Sequence, residues 1–226
     1  MKRSEDLFLL VDSSDRIGLI GLYRAGQTLW ESRTQTGRPS LKWIGDSIME
    51  AQGVSGVNLN QLAFLACGVG PGGFTSARLG LSVIKAMSQA QGLPLVSLNR
   101  LESAAFGESI LYPRSGETIY SVRMPAARDL DYFAVYRIRE GHLPECVREP
   151  AALPPAKIAR LRIPKSAVPL TLSPESYYAG QPRLAWTKWK SGATVPFIEL
   201  SPLYLRGATL GPVTSKVKIV RKKIMR

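Results

Sequence analysis

The residues with the clearest potential for chemistry are Asp12, which ends one apolar run, and the glycine-rich segment 70–75, which follows another. A glycine-rich turn between a strand and a helix presents free amide groups at the helix N-terminus, where an anion can bind. The segment matches neither G-x-G-x-x-G nor the Walker pattern, since no lysine follows before Lys85. Asp12, followed by two serines, is also typical of an acid that caps its own turn. One alternative function is therefore an ATP-dependent phosphotransferase that uses Asp12 and this turn.

Other catalytic chemistry has little support in the sequence. His142 is the only histidine, and it lies in a predicted hairpin turn. A zinc site of the H-E-x-x-H type needs two histidines, and no G-x-S-x-G nucleophile elbow is present. Cys67 and Cys146 are expected to be free thiols. We therefore predict no catalytic, cofactor-binding or metal-binding residue, and no cofactor of the chain's own.

The elements that would position these residues alternate between strand and helix. Apolar runs at 7–12, 17–23 and 27–33 have hairpin spacing and predict three antiparallel strands. Apolar residues at helical spacing after Ser40 predict a helix that Gly53 stops, and the continuous run 62–69 predicts a central strand. The helix predicted over 75–91 carries two apolar faces, which implies two surfaces to pack against.

The second half of the chain predicts shorter elements. Strands are expected at 117–123, 131–138 and 143–148, after which seven prolines between 144 and 174 leave room only for short elements. We predict a first α/β lobe over residues 1–108, a smaller second α/β lobe over 109–212 and a basic tail over 213–226. The longest early apolar run, 7–11, is too short for a signal peptide or a membrane span, so we expect a cytoplasmic protein that does not contact a membrane.

Positive charge is concentrated in the last third of the chain. The net charge is +13, and residues 151–226 hold 14 Lys and Arg against 2 Asp and Glu. Such asymmetry indicates either a polyanionic partner such as RNA or an exposed, mobile tail. A second alternative function is thus a stand-alone basic RNA-binding protein. The residues with weak indications of RNA contact are those of the tail: Lys216, Lys218, Arg221, Lys222 and Lys223.

The segment 70–80, G-P-G-G-F-T-S-A-R-L-G, resembles the signature G-P-G-S-F-T-G-L-R-I-G of the TsaB (YeaZ) family. The opening L-L-V-D-S-S at 9–14 is similar to that family's first strand and turn. The segment P-L-Y-L-R at 202–206 is similar to the family's closing motif, P-x-Y-L-R. The resemblance is strong over about residues 7–105 and weaker in the second lobe, where the family's D-A-R motif appears only as A-A-R at 126–128.

The resemblance implies an actin-like or sugar-kinase-like (ASKHA) α/β fold in two lobes, of which the second is reduced and divergent. It implies a non-catalytic scaffold subunit that binds the catalytic paralogue TsaD, together with the ATPase TsaE, for threonylcarbamoylation of N6 of the anticodon-adjacent adenosine in tRNA. ATP or ADP would then lie at the subunit junction, and tRNA would be bound through the complex. The chain alone could form a homodimer. The phosphotransferase alternative would be of the actin-like or sugar-kinase-like type.

The resemblance also implies that the first-lobe helices, predicted at 40–52 and 75–91, dock the partner. Small side chains in the second helix would let another helix approach closely. The predicted interface residues are Ile44, Ile48, Phe74, Ser76, Ala77, Arg78, Gly80, Leu81 and Ile84.

Overall fold

The computed structural model describes residues 4, 6–34, 39–126 and 129–205. Its first half contains five strands and three helices, which are β1 (Leu7–Asp12), β2 (Leu19–Arg24), β3 (Gln27–Arg33), α1 (Leu41–Ser55), β4 (Phe64–Gly70), α2 (Phe74–Gln91), β5 (Leu95–Asn99) and α3 (Arg100–Leu111). The second half contains β6 (Thr118–Pro125), β7 (Asp131–Ile138), β8 (Glu145–Leu153), α4 (Pro155–Ile158), β9 (Val168–Thr171) and α5 (Pro174–Lys190).

The first sheet has the strand order β3-β2-β1-β4-β5. Strands β1, β2 and β3 are antiparallel, whereas β4 and β5 run parallel to β1, with Phe8 opposite Phe64. Strand β1 is buried along its whole length, as its apolar sequence predicts for a strand covered on both faces. Side chains alternate between the faces, so Leu9 and Val11 join one core cluster and Phe8 and Leu10 join the other.

Helices α1 and α2 lie side by side on one face of this sheet, and α5 covers the other face. Ile44 and Ile84 pack with the odd-numbered residues of β1, while Tyr177 and Leu184 of α5 pack with its even-numbered residues. Trp189 at the end of α5 stacks on Phe64 with the ring centroids 4.8 Å apart. Helix α5 therefore follows the second sheet in sequence but packs on the first sheet.

The second sheet has the order β8-β7-β6-β9, with β6 antiparallel to β7 and parallel to β9. Its inner face packs against α3, where Leu101 and Ala105 meet Tyr120 and Tyr136. Its outer face is covered by the segment 154–163, whose residue Ile158 packs on Phe133 and Val135. Each face of the second sheet is thus covered by one helical layer or segment.

Helices α3 and α5 approach each other closely because glycines face each other at the contact. A Cβ atom added at Gly107 would lie 1.7 Å from the Ser176 carbonyl oxygen, and one added at Gly180 would lie 1.9 Å from the Ser103 carbonyl oxygen. No other residue type fits either position without moving one helix. This contact joins the second sheet, through α3, to the first sheet, through α5.

Two expectations about helices need correction. Gly53 does not stop α1, which ends at Ser55 and is capped by Gly56, where φ is +66° and the amide donates to the Gln52 carbonyl. The left-handed conformation at a helix end favours glycine.

The expectation of short elements only beyond residue 144 is wrong, because α5 spans 17 residues. Its start at Pro174 has no cost, since the first helical position needs no amide donor. The predicted N-cap Ser40 is confirmed by its bond from the Trp43 amide.

No helix among the described residues is long and apolar enough to cross a membrane. The predicted lobe boundary between residues 108 and 109 stays a prediction. The structure adds that α5 and residues 195–203, which that boundary assigns to the second lobe, contact the first sheet: the Val195 amide bonds to Leu95 O and the Leu203 amide to Val69 O.

Candidate functional site

The carboxylate of Asp12 is enclosed where the two lobes meet. Asp12 is 2% exposed, and four donors converge on its two oxygens. Oδ1 accepts from the Ser14 amide at 2.8 Å and from the Ser14 hydroxyl at 2.7 Å. Oδ2 accepts from the Tyr177 hydroxyl and, at 2.7 Å, from Nε2 of Gln181. Both oxygens are therefore occupied by groups of the chain itself.

The backbone around Asp12 is shaped for this enclosure. A Cβ atom at Gly68, in the neighbouring strand, would lie 2.0 Å from Asp12 Cγ. Burial, and after it the charge of Asp12, raises the pKa of Tyr177 well above its ordinary value, so this phenol stays protonated and donates to Asp12. The prediction that Asp12 caps its own turn is confirmed by the bonds from Ser14, and the donors from α5 extend the cap.

The glycine-rich turn closes against the same Asp12 turn. The Gly73 amide donates to the Ser14 carbonyl at 2.8 Å, and a Cβ atom at Gly72 would lie 2.0 Å from that oxygen. Ser13 joins the turn to α2, because its hydroxyl accepts from the Gly80 amide at 2.9 Å and donates to the Ser76 carbonyl. The glycines of this segment therefore let two backbone turns touch.

A cavity of about 800 Å³ lies in the cleft between the lobes. Its floor includes Gly72 and Arg100, and its far wall includes Met124 and Tyr132. Within the described chain, Asp15 and not Asp12 is the acid that lines it. Asp15 is bound to Arg100 by a salt bridge, so the charges of these two residues are paired with each other, while Arg16 also lines the cavity.

An exposed aromatic pair lies at the start of α2. Phe74 stacks on Tyr204 with the ring centroids 4.6 Å apart, and both side chains are 43% exposed. The guanidinium of Arg78 lies 3.9 Å from the Phe74 ring centre and its Nε donates to the Tyr204 hydroxyl at 2.7 Å. The described residues 202–205, part of the segment whose sequence resembles the family's closing motif, are thereby joined to α2 at Tyr204.

The outward sides of α1 and α2 form a further surface, which we call the helical face. On α1 it exposes Leu41 at 56%, Met49 at 73% and Val54 at 69%. On α2 the exposed row at every fourth position begins with Arg78 and continues with three small residues, Ser82, Ala86 and Ala90. Small side chains on one helix and long apolar ones on its neighbour are a combination that lets a partner helix pack closely.

The burial of these helices corrects the predicted interface residues. Six of the nine belong to the chain's own core, namely Ile44, Ile48, Ala77, Gly80, Leu81 and Ile84. Their side chains face the first sheet, so a partner cannot contact them without displacing that sheet. Phe74 and Arg78 are exposed and Ser76 is half-buried, and their role at an interface stays a prediction.

Several predicted residues lie outside the described part of the chain. These are Ala127 and Arg128 of the A-A-R segment, Arg206, and the tail residues Lys216, Lys218, Arg221, Lys222 and Lys223. Within the described part, no group of three or more His, Cys, Asp or Glu side chains is placed to hold a metal ion.

Comparison with known proteins agrees with this fold. The family model described as "TsaD: tRNA N6-adenosine threonylcarbamoyltransferase" matches residues 34–177, which is more than half of the chain. The chain belongs to this family. The predicted relationship to TsaB (YeaZ), which rests on residues 7–105 and 202–206, is confirmed by a curated relative and by solved structures.

The curated relative is the tRNA threonylcarbamoyladenosine biosynthesis protein TsaB from Haemophilus influenzae, 32% identical over 99 residues. That match covers 44% of this chain and 41% of the relative's length. YeaZ from Pseudomonas aeruginosa superimposes with a TM-score of 0.71 at 20% identity, over 88% of this chain and 100% of that one. A protein with similarity to peptidase YEAZ, also from Pseudomonas aeruginosa, gives the same TM-score and identity over 89% and 100%. The predicted α/β fold class is confirmed, because the chain forms two mixed sheets with helices and superimposes on the YeaZ structures.

Proposed function

We propose that this chain is a non-catalytic subunit in the biosynthesis of threonylcarbamoyladenosine in tRNA, and that it docks a larger TsaD-type paralogue through the helical face. Membership of the TsaD family and similarity to a TsaB protein support the pathway. The observation that carries the docking role is the exposure of the helical face: Met49 and Val54 are exposed on α1, and the small residues Ser82, Ala86 and Ala90 are exposed on α2.

The enclosure of Asp12 supports a subunit that performs no phosphoryl transfer. A carboxylate that orients a metal ion or a nucleophile must present a free oxygen to the substrate. Both Asp12 oxygens accept hydrogen bonds from Ser14, Tyr177 and Gln181, and the nearby acid that does face the cleft, Asp15, is paired with Arg100. The phosphotransferase alternative therefore lacks its expected acid.

The proposal extends to the other partners implied by the family resemblance. A TsaE-type ATPase joins the complex, ATP or ADP binds at the subunit junction, and the chain works in the cytoplasm. In the absence of the paralogue, the helical face is free to pair with a second copy of the chain, because exposed apolar patches favour self-association. The assembled complex contacts the tRNA.

The docking role is tested by placing a charge on the helical face. Ala86→Arg adds a long cation at an exposed position of α2 without disturbing the core, so the variant should fold normally. We expect it to lose at least about tenfold in affinity for the TsaD-type protein of the same organism, because a buried unpaired charge is costly at an interface. Ser115→Arg, at an exposed turn far from α1 and α2, is the matched control and should bind like the natural chain.

Mass spectrometry of tRNA nucleosides provides the activity measurement. We expect threonylcarbamoyladenosine only when the chain and its paralogue are combined, and reduced formation with Ala86→Arg. Normal capture and normal tRNA modification by Ala86→Arg would contradict the docking surface. Turnover of ATP by the isolated chain would contradict its non-catalytic role.

A further inference from the structure

The segment 154–165 is a structured cover on the outer face of the second sheet. Its apolar residues Ile158, Leu161 and Ile163 pack against Phe133, Val135 and neighbouring side chains of that face. Backbone bonds hold its turns, including the Ala159 amide to the Pro155 carbonyl at 3.0 Å and the Leu161 amide to the Ile158 carbonyl at 3.0 Å. The segment is therefore fixed on the sheet by alternate inward-facing residues.

Between those apolar residues stand four cations, which together we call the basic platform: Lys157, Arg160, Arg162 and Lys165. All four are exposed. No Asp or Glu occurs in the sequence between Glu149 and Glu175, and none of the four takes part in an ion pair with any other described residue. Four like charges are thus presented to solvent by a segment whose backbone is held in place.

Two other cations of the second sheet are neutralised. Arg123 pairs with Asp131, and Arg137 pairs with Glu117 at 3.0 Å and Glu145 at 2.7 Å. Like charges placed close together repel one another and weaken the folded state slightly. The basic platform differs by concentrating four exposed cations within nine residues of a stretch that contains no acid, and this unneutralised charge indicates a surface that meets an external anion.

The spacing of the charges indicates which kind of anion. A single small anion is held by cations that converge on one point, whereas these four are distributed over nine residues along a segment that covers a sheet face. A polymer with a phosphate at every nucleotide can contact all of them at once, and each contact releases counterions from the polymer. Contacts of this kind position a nucleic acid without reading its sequence.

We propose that the basic platform binds the phosphate backbone of tRNA, the substrate of the complex described above. The inference rests on the proposed function for the identity of the RNA, and it assigns to the described second lobe a contact that the sequence had indicated only for the tail. The contact orients the tRNA for the paralogue and carries no base specificity.

The test measures tRNA affinity of the full-length chain by fluorescence anisotropy between 50 and 300 mM KCl. The variant replaces Lys157, Arg160, Arg162 and Lys165 with Gln. We expect roughly a tenfold or larger loss of affinity near 150 mM salt, and a log–log salt slope that is shallower by about 3 to 3.5, since each of the four phosphate contacts contributes roughly 0.7 to 0.9 to that slope. Its unfolding midpoint should stay that of the natural chain, because the four side chains are exposed.

A matched control removes the same total charge elsewhere, by replacing four scattered exposed cations with Gln: Arg24, Arg114, Arg183 and Lys190. We expect this control to keep most of the affinity and of the salt slope. Equal losses in the two variants would overturn the proposal, because the binding would then follow net charge or the tail. Unchanged tRNA affinity in the platform variant would overturn it as well.

Two further measurements separate this inference from the docking role. The platform variant should still capture the TsaD-type protein, and Ala86→Arg should still bind tRNA. Loss of capture by Ala86→Arg with unchanged tRNA binding in the platform variant would leave the docking role intact and reject the basic platform. The opposite pair of results would reject the docking role and leave the RNA contact.

Discussion

At the lobe junction four hydrogen bonds converge on the Asp12 carboxylate, whereas on the helical face Met49 and Val54 remain in contact with solvent. In most folded proteins apolar residues are buried, while acids stay exposed unless they are paired. Here the buried Asp12 carboxylate accepts hydrogen bonds from internal donors, whereas Met49 and Val54 on the helical face are exposed. An enzyme that used Asp12 would need the opposite arrangement, with an accessible acid. The difference favours the proposed docking role, because the exposed apolar residues are accessible to a partner whereas the Asp12 carboxylate is used in hydrogen bonds within the fold.

The largest expected effect comes from breaking the polar centre. Asp12→Ala removes the acceptor of the Tyr177 hydroxyl and of the Gln181 amide, which are both buried. Each orphaned donor costs free energy, so we expect the free energy of unfolding to fall by roughly 2–5 kcal/mol. Urea unfolding followed by circular dichroism measures the loss.

The control for this variant is Asp46→Ala, which removes an acid whose side chain is 63% exposed and paired only with Lys42. Exposed pairs contribute little, so its free energy of unfolding should change by at most about 0.5 kcal/mol. If Asp12→Ala were no less stable than Asp46→Ala, the enclosed carboxylate would not be a stability centre, and the contrast between the two regions would fail.

A smaller effect of opposite sign in the two regions is expected when glycine is replaced by alanine. Gly107→Ala places Cβ against the Ser176 carbonyl oxygen at the contact of α3 and α5 and should destabilise the chain by roughly 1–3 kcal/mol. Gly45→Ala, on exposed α1, meets nothing within 4 Å and should stabilise it by about 0.5–1 kcal/mol. Thermal unfolding of both variants measures the two signs, and destabilisation by Gly45→Ala would show that the helical face is not free.

The smallest effect concerns the two thiols and leaves stability unchanged. Cys67 is buried in the first sheet and Cys146 is exposed on the second. Although Cys146 is exposed, partial desolvation of its sulfur, followed by the charge of Glu149, raises its pKa to about 11. Because the thiolate is the nucleophile, alkylation of Cys146 should be slow at pH 7 and rise about tenfold per pH unit up to that pKa. Mass spectrometry of iodoacetamide-treated native protein should detect one adduct, and a second adduct at Cys67 would contradict its burial.

The sequence predicted the elements whose signals are local. Strand β4 and helix α2 were expected from a continuous apolar run and from helical periodicity, and both are present. Helix α5 was missed because the series of prolines that ends at Pro174 predicts only short elements, although Pro174 occupies the first helical position, where it is tolerated. Gly53 is typical of a helix stop, yet it lies on the exposed side of α1, where its cost is small.

The candidate site was less predictable, for physical reasons. The strongest apolar stripe of a helix faces the protein's own core, so residues such as Leu81 and Ile84 were expected at an interface and are buried. The donors to Asp12 come from Tyr177 and Gln181, and no local pattern connects residues so distant in sequence. The exposed cations of the basic platform were visible as composition, but only the packing of Ile158 shows that they stand on a fixed surface.

The pairing of Asp12 with helix α5 also has a consequence for the order of synthesis. Strand β1 is among the first segments to leave the ribosome, but two of the donors to its residue Asp12, Tyr177 and Gln181, are synthesised much later. Until Gln181 has emerged, Oδ2 of Asp12 lacks its two donors from α5, and the face of the first sheet that α5 covers stays exposed to solvent. Contacts of such long sequence separation slow folding, so we expect the first lobe to complete its fold only after most of the chain has been synthesised.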